Sequence, residues 1–344
     1  MDEKKRAFNR LVIITTIAVY FLILVGGIVR NTGSGMGCPD WPKCFGAYIP
    51  PVSEQQLPED YQQIYLQKRL SKTDRLANLL TSLGFTETAK KILSDPNLYQ
   101  EEEFNPRTAW IEYINRMIGV IIGFLIVLTT YRSFVFRKSV PLITYTSITG
   151  LVLVLFQGWF GSLVVATNLI PAFVSIHMVL ALLQVLLLIY LYILSSNKVD
   201  ATGFIPVYLR TSSLLFLLLF IPQILLGTQV RHLVDQSIFD GLEKINWLNS
   251  IDWRFYFHRT YSLVFLITTG WISIKLYRDA KVNSRLKGLM LLVFILIAFE
   301  SASGAIMYYF HFPVGIQPLH LLVASIIFGL LFYLTLVSRL KSSK

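Results

Sequence analysis

Charge is scarce in this sequence. Only 15% of its 344 residues are Asp, Glu, Lys or Arg, 54% are hydrophobic, and the mean hydropathy is +0.58. That balance excludes an ordinary soluble domain, which could not bury so much apolar surface. Cysteine is rarer still, with Cys38 and Cys44 alone. Two thiolates with no histidine nearby leave a zinc coordination shell unfilled, which argues against a zinc site. The first apolar run has no small-residue cleavage site and is too long for a signal peptide, so it reads as a retained helix.

What the chain does have is apolar stretches near the ~20-residue length that crosses a bilayer. They run roughly over 10–30, 109–131, 140–164, 171–195, 207–230, 255–276, 288–310 and 316–338. The expected fold is an all-α integral membrane protein with eight transmembrane helices. A net charge of +11 invites a nucleic-acid reading, but its distribution points to a lipid bilayer and to no nucleic acid. Lys4, Lys5 and Arg6 precede the first stretch. Arg132, Arg137 and Lys138 follow the second, and Lys198 and Arg210 follow the fourth. Lys275, Arg278, Lys281, Arg285 and Lys287 follow the sixth, and Arg339, Lys341 and Lys344 follow the eighth. All fall on one side, which the positive-inside rule makes cytoplasmic, so both termini are expected inside. The short basic N-terminus lacks the length of a mitochondrial transit peptide, which favours a multi-pass protein of the bacterial plasma (inner) membrane.

The loop over about 31–108 is long and falls on the outer side. Leu76, Leu79, Leu80 and Leu83 keep helical spacing until Gly84, and Thr86 and Pro96 bracket a second short candidate. A small helical cap is expected there, a disordered insertion being the alternative. Within this loop, glycine and two prolines around Cys38 and Cys44 favour a tight turn that brings the sulfurs together. Both residues lie on the side where disulfides persist. A plain loop staple and a reducible redox pair both remain open.

Four features repeat. Tyr113-Ile114-Asn115-Arg116 recurs 143 positions on as Tyr256-Phe257-His258-Arg259; Phe156-Gln157 with Gly161 recurs at the same step as Phe299-Glu300 with Gly304, and His177 with Ala181 as His320 with Ala324. Gly26-x-x-Val29-Arg30 matches Gly227-x-x-Val230-Arg231 at a step of 201, so the first half carries extra residues. A repeat dictates architecture. Here it predicts two pseudo-symmetric four-helix bundles, residues 1–196 with the loop and residues 197–344, related by an axis along the membrane normal.

Polar groups inside apolar segments are costly and usually functional. One buried histidine is normally just hydrogen-bonded. His258 and His320, at one depth on two helices of one bundle and in register with the other half, suit the two axial positions of a heme. Arg30, Arg231 and Arg259 sit near the outer face and could pair with propionates, as could Arg116. In the first half Asn115 replaces His258 and Glu112 replaces Phe255. The repeat therefore predicts one strong ligand there, His177, facing a weak or absent one. Glu112 and Asn115 share a helix face, and a carboxylate beside an open coordination position points to chemistry. The plainer alternative for Glu112 is an interfacial charge paired with Arg116. This asymmetry suggests that the first half reacts while the second, saturated by two histidines, relays electrons. His232 and His311, just outside the fifth stretch and at the end of the seventh, read as interfacial side chains.

The run Gly26-Gly27-Ile28-Val29-Arg30-Asn31-Thr32-Gly33-Ser34-Gly35-Met36-Gly37-Cys38-Pro39-Asp40-Trp41-Pro42-Lys43-Cys44 resembles the signature of the heme A synthase family. Glu112-Tyr113-x-x-Arg116, His177, His258-Arg259 and His320 fall where that family places its helix motifs, and the resemblance spans nearly the whole chain. It implies oxidation of the C8 methyl of heme O to the formyl group of heme A for terminal oxidase biogenesis. The cofactor implied is a heme B held by His258 and His320, with heme O near Glu112 and His177 and a cysteine pair associated with activity. The implied partners are a heme O supplier and the terminal oxidase assembly machinery. Family members usually carry histidine where this chain has Asn115, which removes one expected ligand, and the first loop is longer than in short bacterial members. Glu112 would accept a proton or steer the substrate, and Asn115 would hydrogen-bond a water at the open position. Two readings compete: a b-type electron-transfer cytochrome, and a non-catalytic heme-binding assembly protein.

Overall fold

The computed structural model describes residues 2–99, 103–196, 204–239, 241–243, 246–247, 252–313 and 315–340. Lys198, Lys341 and Lys344 of the charge pattern lie outside them. Among the described residues there is no β-strand. Ten α-helices follow in order: α1 (Asp2–Asn31), α2 (Tyr61–Ser82), α3 (Thr86–Leu93), α4 (Pro106–Ser133), α5 (Pro141–Ala166), α6 (Pro171–Ser195), α7 (Val207–Phe239), α8 (Trp253–Arg278), α9 (Ser284–Tyr309) and α10 (Ile316–Leu340). Local chemistry sets their ends. Pro106, Pro141 and Pro171 open α4, α5 and α6, where a missing N–H costs nothing and the fixed φ suits the first turn. The Asp252 and Asn283 side chains cap α8 and α9, accepting from the N–H groups of Arg254 (2.9 Å) and Arg285 (2.8 Å).

Among the described residues, seven helices (α1, α4, α5, α6, α7, α9 and α10) are long and apolar enough to cross a membrane. Their surfaces agree with that. Ile17, Phe124 and Leu155 are each more than 60% exposed, a pattern suited to lipid and costly in water. Buried hydroxyls instead bond to one another or to helix carbonyls, as Thr15 does with Thr129 (3.1 Å) and Thr144 with the Ser133 carbonyl (2.9 Å). The chain is a multi-pass, all-α membrane protein. α8 is equally long but more polar, with His258-Arg259-Thr260-Tyr261-Ser262 occupying more than a turn.

The chain forms two compact units. One comprises Met1–Gly27, Thr129–Ile148 and Leu182–Lys344, the other Ile28–Leu128 and Thr149–Ala181. In the first, α7 packs on α8, α8 on α9, α9 on α10 and α10 back on α7, closing a four-helix bundle. Its core follows the helical period: Leu286, Met290, Val293 and Ile297 from α9 meet Leu209, Phe216 and Phe220 from α7, with Phe265, Ile272 and Leu276 from α8 and Ile327, Leu331 and Leu334 from α10. Glycine leaves room for a side chain from α1: a Cβ on Gly329 of α10 would collide with the Tyr20 hydroxyl.

In the second unit the loop is helical, as its sequence predicts, and Gly84 (φ +88) separates α2 from α3. Of the leucine stripe only Leu76 is fully buried, however. Leu79 and Leu83 are exposed, and α2 turns Tyr61, Tyr65, Arg69, Thr73, Leu76 and Ala77 inward, because aromatic rings give this small core more area than the leucines do. A second correction concerns α7, which continues to Phe239, so His232 lies inside a helix. An Arg231–Asp235 pair (2.6 Å) one turn apart supports the extension.

Both helix connectors that follow the repeated glycines have one geometry. Asn168-Leu169 between α5 and α6, and His311-Phe312 between α9 and α10, each hold two successive residues in the left-handed region (φ 50, 60 and 52, 55). Two adjacent non-glycine residues with positive φ are rare, and these pairs stand 143 positions apart.

Candidate functional site

In the first unit, His258 on α8 and His320 on α10 face each other with ring centres 6.5 Å apart and planes inclined by 65°. Glycine makes room for each ring. A Cβ on Gly227 would stand 3.1 Å from Cε1 of His258, and one on Gly304 would stand 3.7 Å from Cε1 of His320. Nδ1 of His320 pairs with the Ser303 hydroxyl at 2.8 Å, and its Nε2 lies 3.2 Å from a Glu300 carboxylate oxygen. Gln223 donates to the His258 carbonyl (3.0 Å), while Nδ1 of His258 has no hydrogen-bond partner among the described residues. Glu300 and Ser303 were not singled out as site residues from sequence, although Glu300 is the one acidic residue of α9 and an acid inside an apolar helix is a signal in itself.

In the second unit His177 repeats this setting with different partners. Gly161 again lies against the ring, its Cβ position 3.4 Å from Cε1. Phe160 stands where Ser303 stands and stacks on the imidazole (6.4 Å, 12°), and Nδ1 of His177 has no hydrogen-bond partner among the described residues. Oδ1 of Asn115 is likewise buried without a partner among the described residues, and no hydrogen bond joins the two.

Glu112 is buried and sits among protein groups. One carboxylate oxygen accepts from the Cys38 N–H at 2.7 Å, and the other is paired with Arg116 one turn on. Arg116 also donates to the carbonyls of Cys38 (2.8 Å), Asp40 (2.7 Å) and Lys43 (2.9 Å). Cys38 and Cys44 form a disulfide with Cα atoms 4.7 Å apart, 0% and 1% exposed. Phe45, Tyr61, Tyr65 and Ala109 enclose it, and Phe45 meets Tyr61, Tyr65 and Phe104 edge-on. Burial and the Asp40 carboxylate push the Tyr65 phenol up to about 12. Gly33 adopts φ +67 beyond the end of α1, and a Cβ on Gly37 would collide with the α4 backbone at Thr108 and Ala109. These glycines let the loop lie directly on α4.

The other arginines are placed differently. Arg231 binds Asp235 and Gln317. Arg259 lies over the rings of Phe255 (5.9 Å) and Tyr256 (5.4 Å). Arg30 is half-buried in the last turn of α1.

Fold and site together define a multi-pass helical membrane protein with histidines facing across a bundle core and a disulfide loop tied to a buried acid. A sequence profile of the cytochrome oxidase assembly protein family (COX15-CtaA) matches residues 9–74 and 87–332; the chain belongs to that family. It is 24% identical over 337 residues to a heme A synthase of Shewanella oneidensis, covering 89% of each chain. It is 23% identical over 354 residues to one from Shouchella clausii, covering 98% of this chain and 99% of the relative. A shorter match, 31% over 181 residues, joins 52% of this chain to 45% of a heme A synthase of Ehrlichia canis.

Proposed function

We propose that this chain is a heme A synthase, an oxidoreductase that converts the C8 methyl of heme O to the formyl group of heme A in a bacterial plasma membrane. The observation that carries the reading is the agreement of a family match along nearly the whole chain with two imidazoles facing each other in one bundle. The basic residues between the spans support termini on the cytoplasmic side, and the length of α8 supports counting it as an eighth span.

The histidine pair fits heme B. A metal between two imidazoles needs roughly 2 Å to each nitrogen plus about 1 Å on to each ring centre, or about 6 Å in all, close to the 6.5 Å present. Two imidazoles leave a tetrahedral metal half-coordinated, whereas a porphyrin brings four nitrogens and asks for two more. When bound there, heme B supplies one-electron transfer. Ser303 then holds Nδ1 of His320 and fixes the ring, the usual service of such a partner, and Glu300 yields Nε2. Arg259, Arg231 and Arg30 are the candidates for propionates.

At the substrate, His177 holds the heme O iron and Asn115 offers an amide to a water on the other side. Two successive two-electron oxidations, each adding the oxygen of one water and releasing two protons, take the methyl to the alcohol and then to a gem-diol, which loses water to give the aldehyde. The four electrons would leave, by way of a heme B held at His258 and His320, to an external electron acceptor. Glu112 accepts a proton from the reacting carbon's side or steers the ring. Co-expression with a heme O supplier, followed by heme extraction, tests the reading, and heme A is the expected product. Heme B alone would indicate an electron-transfer cytochrome, and bound but unconverted heme O a carrier.

A further inference from the structure

Arg116 has four terminal N–H groups, and the structure gives each an acceptor inside the protein. Three are the carbonyls of Cys38, Asp40 and Lys43, which converge from one loop, and the fourth is the Glu112 carboxylate. The other oxygen of Glu112 returns to the same loop through the Cys38 N–H. A guanidinium presents its donors in a rigid plane, so three carbonyls can meet it only if the loop keeps one shape. We infer that Arg116 is a positioning residue: it fixes the Cys38–Cys44 loop and the Glu112 carboxylate as one assembly, so that the two cysteines and the acid each depend on the geometry of the other. This gives Arg116 a role other than binding a heme propionate, for which only Nε remains. Because Glu112 is placed in the heme O chemistry, the consequence for turnover rests on the function proposed above; the consequence for the disulfide does not.

The two consequences are measured separately. The disulfide is equilibrated with dithiothreitol, which is oxidised to its cyclic disulfide as two electrons and two protons pass to Cys38 and Cys44. Maleimide labelling of the full-length protein in detergent reads the ratio. Arg116→Lys keeps the charge beside Glu112 but replaces the planar fork with one point donor, so the protein retains its buried ion pair. The expected result is a shift of about tenfold toward the dithiol, the scale of one charge-assisted hydrogen bond lost from the oxidised loop. Glu112→Gln, which weakens the bond from the Cys38 N–H, is expected to shift it in the same direction. Turnover of heme O in Arg116→Lys is expected to fall with unchanged heme O binding, and adding Arg116→Lys to a Cys38→Ala/Cys44→Ala background is expected to cost less than it does alone.

An unchanged disulfide equilibrium with weakened heme O binding would return Arg116 to a propionate role and overturn the inference. A shifted equilibrium with wild-type turnover would sever the loop from Glu112 and overturn it equally. A wild-type protein that makes no heme A would overturn the proposed function alone, leaving the equilibrium measurement to stand or fall by itself. Should Arg116→Lys fail to accumulate, Glu112→Gln carries the redox measurement, and an unshifted ratio there counts against the inference.

Discussion

A single imidazole nitrogen distinguishes the settings of His320 and His177. His320 has both ring nitrogens in contact with side chains, Ser303 and Glu300, whereas Nδ1 of His177 has no hydrogen-bond partner among the described residues and Phe160 stacks on its ring. A ring held by a hydrogen bond keeps one tautomer and one orientation; a ring held by stacking keeps only its plane. His258→Ala or His320→Ala is therefore expected to abolish the low-spin heme B spectrum of the purified protein, and an unchanged spectrum would refute the ligand assignment. Glu112→Gln is expected to lower heme A formation by about 10²- to 10⁴-fold, the range for loss of a positioned proton acceptor. Full heme A production by that variant would remove the carboxylate from the chemistry. The sequence already placed Glu112 beside Arg116, but it left the pair as one of two alternatives. It could not show the Cys38 N–H at the second oxygen, because a contact across more than seventy residues leaves no local pattern.

Helices here are shaped to admit rings rather than to fill space. Gly227 in α7 and Gly304 in α9 lie against His258 and His320, and Gly161 in α5 does the same for His177. Replacing an interior glycine by alanine normally favours a helix by about 1 kcal/mol, so damage at these positions has to come from the pocket. Gly227→Leu is expected to keep the helical circular dichroism of the wild type while heme B retention falls by about tenfold or more, measured as the Soret-to-protein absorbance ratio. A full complement of heme would mean that His258 is not held against α7. Element positions were legible because long apolar runs bounded by proline and basic residues have few other readings. The buried face of α2 was not, because its spacing fits leucines and aromatics alike, and packing chose Tyr61 and Tyr65.

At the scale of the whole molecule, the sequence repeat has a counterpart in the backbone. The step of 143 that links the histidine positions also links two connectors with the same left-handed pair of residues, a feature no motif in the sequence announces, since Asn168-Leu169 and His311-Phe312 share no residue. Among the matched positions that differ is the donor at Asn115 and His258. Asn115→His is expected to turn bound heme O from a form that takes up added imidazole into a low-spin form that does not, read in the visible spectrum. Unaltered imidazole uptake would show that position 115 does not face the iron. The more polar sequence of α8 has its own consequence. Residues such as His258 and Arg259 oppose partition of a helix into lipid, so the segment that carries a candidate ligand is the one a translocon would release least readily by itself. With α8 as the eighth span proposed above, its entry would be favoured by the neighbours that pack on it, α7 and α9, and insertion of this segment and assembly of the pocket would be a single event in biogenesis.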